Sequence, residues 1–108
     1  MIRYDDFEKV DMRVGTILRA EVNPRAKKPA FSLTIDFGPL GKKMSSAQIT
    51  DLYTPEDLTG RQVVAVVNFP PKVIAGISSE VLVLGVDGDN GVALLCPQQS
   101  VQNGKRIY

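Results

Sequence analysis

The sequence predicts a small all-β barrel, and three observations carry that expectation. Phe31, Leu33, Ile35 and Phe37 alternate with Ser32, Thr34 and Asp36, the period of a strand with one buried face. Glycine, proline and asparagine punctuate the chain at short intervals, as turns between strands require. Only one segment, Thr54–Gly60, carries helix start and stop signals. At 108 residues the chain has the length of one domain, spanning 1–108.

Taken in order, Met12–Val22 reads as a long first strand, with Gly15 as a bulge or bend. Asn23–Pro29 follows as a loop, its prolines barring both helix and central strand. Phe31–Phe37 is the second strand, Gly38-Pro39-Leu40-Gly41 a turn, and Lys42–Ile49 the third strand. Thr54 caps the short helix, Pro55 suits its first turn, Glu56 and Asp57 complement its dipole, and Gly60 stops it. Gln62–Val67 is apolar without alternation, as in a strand covered on both faces. Glu80–Val86 and Gly91–Cys96 are further strands, and Asn103-Gly104 signals a terminal hairpin.

Three strands, a one-turn helix, then two or more strands is the order of a five-stranded OB-fold barrel. The helix falls between strands three and four, and terminal extensions remain on either side. An SH3-like barrel leaves the Thr54–Gly60 helix unexplained. In an OB barrel Arg25–Lys28 lie in the first hairpin loop and Lys42-Lys43 between strands two and three, regions that grip oligonucleotides in such barrels.

Several chemistries are excluded or disfavoured. The chain has no histidine and one cysteine, Cys96, so the usual Ser-His-Asp and Cys-His arrangements and His-containing zinc sites have no residues to build them. Cys96 closes the apolar run Val92–Leu95 and reads as a buried small hydrophobe. Gly38–Lys43 has the wrong spacing for a phosphate loop, and Asp87–Gly91 lacks the glutamate that a calcium loop needs, since Gln98 stands in its place. No cofactor, metal or membrane insertion is expected. Asp5, Asp6, Glu8 and Asp11 near the start do not make a signal peptide, and a free cysteine points to a cytoplasmic protein.

The net charge of +1 conceals an uneven distribution. Residues 13–43 hold seven basic side chains against two acidic ones, a local net of +5, which marks a candidate phosphate-binding face. Other segments point to peptide. Ser45, Ser46 and Gln48 place small polar side chains where a barrel strand normally alternates, so they offer hydrogen bonds to a close backbone. Phe69, Pro71, Lys72, Val73 and Ile74, following Asn68, put apolar groups beside prolines that cannot join a ladder.

Val10–Gly15, Ser45–Ile49 and the block Val66–Leu84, above all Val66-Val67-Asn68-Phe69-Pro70-Pro71-Lys72, resemble the CsaA family of small homodimeric chaperones associated with protein secretion. That family is in turn similar to the tRNA-binding OB domain of some methionyl-tRNA synthetases. The resemblance covers essentially the whole chain. It implies an OB barrel, a dimer built from the terminal extensions, and paired hydrophobic pockets for extended peptide. Two departures from the tRNA-binding pattern stand out: Ala75 where a basic residue is typical, and Glu80 where Ser-Gln-x-Met would place Gln beside Ser79. An added carboxylate repels phosphate at that edge.

The expected function is therefore a non-catalytic homodimeric chaperone binding unfolded polypeptide or preprotein. Ser45, Ser46, Gln48, Asn68, Phe69, Pro71, Lys72, Val73 and Ile74 are its candidate peptide contacts. The alternative is a tRNA-binding module using Arg25, Lys27, Lys28, Lys42, Lys43 and Ser79. tRNA and the secretion machinery stand as further candidate partners.

Overall fold

Period-two patterning folds as expected in the computed structural model, which describes residues 1–108. Five strands form one sheet in the order β3-β2-β1-β4-β7: β1 (Met12–Val22), β2 (Phe31–Asp36), β3 (Lys42–Ala47), β4 (Gln62–Val66) and β7 (Leu82–Val83). All pairings are antiparallel. The sheet curls until its edges meet, where the Glu80 N–H donates to the Met44 carbonyl at 2.8 Å and the Ser45 hydroxyl to the Val81 carbonyl at 2.9 Å. This is the OB-fold barrel, nearly closed.

A curled sheet needs one strand long enough to serve two neighbours, and β1 is that strand. Met12–Thr16 pairs with β4 and Thr16–Val22 with β2. Its register slips between Ile17 and Arg19, so the bulge lies past Gly15 rather than at it. Gly15 instead clears space: a Cβ there would stand 2.7 Å from both Ile35 Cγ2 and the Phe37 ring. The core is filled by Ile17, Leu33, Ile35, Phe37 and Val63, all fully buried, and closed at one end by Leu58. Leu58 arrives on α2 (Pro55–Leu58), whose cap Thr54 accepts from the Asp57 N–H.

Two small hairpins stand outside this sheet. One is β5 (Lys72–Ile74) with β6 (Ile77–Ser79), joined by Ala75-Gly76, and the other is β8 (Gly85–Gly88) with β9 (Gly91–Leu94). The predicted strand Glu80–Val86 is thus divided between β7 and β8. Asn103-Gly104 does not make the expected hairpin. The Gly104 N–H donates to Val14 O and the Ile107 N–H to Met12 O, so the C-terminal segment lies along the edge of β1 opposite β4. Cys96, past the end of β9, is exposed rather than buried. A further element, α1 (Tyr4–Glu8), was not expected: the Asp6 carboxylate accepts from the Arg3 N–H and caps it. Neither helix is long and apolar enough to cross a membrane.

Candidate peptide and nucleic-acid grooves

The site is built around the β5–β6 hairpin, which juts from the barrel beside β3. Ala75 and Gly76 both have positive φ, 48° and 81°, the conformation a two-residue hairpin turn demands. The turn is anchored to the first hairpin loop. Asn23, buried, donates through Nδ2 to the Ala75 carbonyl at 3.4 Å, and its Oδ1 accepts from the Arg25 N–H. The Arg25 guanidinium lies over Gly76, where a Cβ would collide with it. Glycine is needed here for its φ.

Two grooves lie beside this hairpin. The first, about 420 Å³, runs between the loop and β3, with Arg25, Lys27 and Lys28 on one wall and Ser46, Gln48 and Ile74 on the other. The second, about 510 Å³, is walled by Phe69, Pro70, Pro71 and Leu82, with Lys72, Ser79 and Glu80 at its polar side. Ile74 lines both. It is half-buried and packs outside the barrel core.

Electrostatically the first groove is one-sided: no carboxylate lines it, and Arg25, Lys27 and Lys28 form no ion pair. In the second, the one carboxylate is already engaged, because Glu80 Oε1 accepts from the Met44 N–H at 3.1 Å. That bond closes the barrel and turns the acid toward β3.

The candidate peptide residues divide. Ser46, Gln48, Phe69, Pro71, Lys72 and Ile74 line the grooves. Ser45 does not: it is 1% exposed and its hydroxyl is spent on Val81. Asn68 is likewise committed, donating to Lys9 O at 2.8 Å and accepting from the Asp11 N–H at 3.0 Å, which ties the α1 segment to β4. Val73 is 74% exposed and lines neither groove, because strand alternation points it opposite to Ile74.

The basic residues divide too. Lys42 pairs with Asp36 and Ala47 with Phe31, so Lys42 and Lys43 sit at the far end of β3, about 10–13 Å along the strand from Ser46. Lys43 lines a separate cleft with Asp11 and Asn68. The basic third is therefore two sites rather than one face. Ser79 belongs to the second groove, its Oγ accepting from the Ser46 N–H.

Pro70, Leu82 and Ala30 line the grooves without having been singled out. Pro70 was legible beside Phe69; Leu82 was not, since nothing local shows which side of its strand faces the hairpin. The polar hollow of Arg13, Lys105 and Arg106 depends on the C-terminal segment crossing β1, which no local pattern announces.

Residues 12–106 match the family described as "Putative tRNA binding domain", and the chain belongs to that family. Within it, the CsaA resemblance holds over the full length. The chain is similar to chaperone CsaA from Bacillus anthracis str. Ames, with 53% identity, a TM-score of 0.90, and coverage of 100% of this chain and 99% of that one. It is similar to CsaA chaperone protein from Picrophilus torridus, at 49% identity and TM-score 0.94 over 100% of both chains. It also matches methionine–tRNA ligase of Methanococcus aeolicus, 39% identical over 107 residues. That match takes in 99% of this chain but 16% of the ligase, so the chain spans about one sixth of the length of such relatives.

Proposed function

We propose that this protein is a non-catalytic chaperone that holds unfolded or preprotein segments in the two grooves, works as a homodimer in the cytoplasm, and supports protein secretion. The observation that carries the reading is Ile74 standing between a groove walled by Phe69, Pro70, Pro71 and Leu82 and one with Ser46 and Gln48 on its floor. An extended client places an apolar side chain in the former, and its backbone hydrogen-bonds to polar groups in the latter. Its likeness along the whole chain to CsaA chaperones supports the same reading.

The magnitudes suit a transient holder. One large client side chain buries roughly 150 Å² of apolar surface, worth about 4 kcal/mol at 25 cal/mol per Å², before ordering costs are subtracted. Holding is therefore weak and reversible. The exposed Met1, Ile2 and Tyr4 at one terminus and Val101 and Tyr108 at the other supply apolar surface for the second protomer. Light scattering should give twice 11.8 kDa at micromolar concentration.

The test replaces Ile74 by Asp and follows aggregation of a denatured client at 200 mM salt. Ile74 packs outside the core, so the variant should keep its circular dichroism and lose protection. A folded Ile74→Asp protein that protects at full strength refutes the groove assignment. A tRNA-binding reading stands second, supported by the family match and by the unpaired Arg25, Lys27 and Lys28.

A further inference from the structure

We infer that client polypeptide and RNA exclude one another on this protein, so that RNA acts as a competitive regulator of client holding. The inference rests on the chaperone reading above and adds a control to it. Its basis is adjacency. The three uncompensated cations Arg25, Lys27 and Lys28 share one groove with the polar floor offered to client backbone, and Ile74 is a wall of that groove and of the apolar one.

The grooves share Ile74 as a wall, so they lie about one side chain apart. A single protein module on nucleic acid buries at least roughly 600 Å² of its surface, a footprint about 14 Å in radius. RNA centred on Arg25–Lys28 therefore reaches across Ile74 and covers the apolar groove. At the far end of the barrel Arg13 and Arg106 already share the Asp11 carboxylate, at 2.6 and 3.7 Å, and Arg13 also donates to Gly104 O, which weakens that end as a rival RNA site although Lys42, Lys43 and Lys105 are unpaired there. RNA seated at that end instead would leave peptide bound, the outcome that overturns the exclusion below. Lys72, also without an ion pair, stands on the client side of the hairpin and draws the phosphate chain over it.

The loop is also tied to the hairpin, since Asn23 bonds to Ala75 and Arg25 lies over Gly76.

The experiment measures fluorescence anisotropy of a labelled, uncharged, leucine-rich 15-residue peptide on the full chain, titrated with unfractionated tRNA. At 50 mM salt the apparent peptide Kd should rise in proportion to tRNA without a plateau. With four phosphate contacts on a single strand, raising salt to 200 mM should weaken the RNA about fifty-fold and abolish displacement, while peptide alone binds nearly unchanged. In the Lys27→Glu, Lys28→Glu protein, whatever its own peptide Kd, that Kd should no longer respond to tRNA. A peptide signal that persists while tRNA binds in a gel-shift assay overturns the exclusion, as does tRNA that does not bind at 50 mM salt. Peptide that fails to bind without RNA overturns the chaperone reading, and the exclusion falls with it.

Discussion

Replacing Gly15 by Ala should unsettle the barrel more than a single methyl group normally does. The new Cβ would stand 2.7 Å from Ile35 Cγ2 and 2.7 and 2.8 Å from two Phe37 ring carbons. Carbon atoms rest about 3.5–4.0 Å apart, so neighbours must retreat by nearly an ångström. Ile35 and Phe37 are both fully buried and have nowhere to go. Overpacking of this kind costs about 1–3 kcal/mol, and the lost freedom of the unfolded chain returns about 0.4–1. The net is about 1 kcal/mol, or a fall of roughly 4–8 °C in Tm for a domain of this size. Thermal and urea melts at one fixed protein concentration measure it. Trimming Phe37 to Leu in the Gly15→Ala background should recover at least about 1 kcal/mol relative to the sum of the single changes. A Gly15→Ala protein within 0.5 kcal/mol of the parent (roughly the spread of neutral surface changes) would refute the close-packing argument.

Two further substitutions probe the seam and the hairpin. Ser45→Ala leaves the Val81 carbonyl without its partner and should cost about 1–3 kcal/mol by urea melt, with peptide affinity unchanged because Ser45 faces the barrel seam rather than a groove. Ala75→Gly removes a side chain from the left-handed region, at φ 48°, and should stabilise the protein by about 1 kcal/mol in the same assay, provided the turn is a fixed feature.

Where the fold was legible, one local rule sufficed. The alternation of Phe31 to Phe37 became the β2 face directly, and Thr54, Pro55 and Asp57 specified α2 with its cap. Other readings failed because a distant segment decided the outcome. Gly15 looks like a bulge until Phe37 is seen against it, and Asn103-Gly104 looks like a hairpin until β1 offers its free edge. Asn68 and Ser45 have the chemistry of peptide-binding groups, but the α1 segment and Val81 claim it first. Lys27 and Lys43 belong to one basic stretch of sequence, yet β2 and β3 carry them to opposite ends of the barrel. Composition revealed the kinds of groups available, and only the topology could sort them into sites.

The central claim is that client binding is an apolar, groove-based event, and its salt dependence tests that most directly. The measurement is the Kd of an unfolded, uncharged peptide at 50 and at 200 mM salt, without RNA. Burial of apolar surface on Phe69, Pro71, Ile74 and Leu82 is insensitive to salt in this range, so the two values should agree within about twofold. A Kd that rises tenfold or more at 200 mM salt would mean that charge rather than the groove holds the peptide, and would contradict the account.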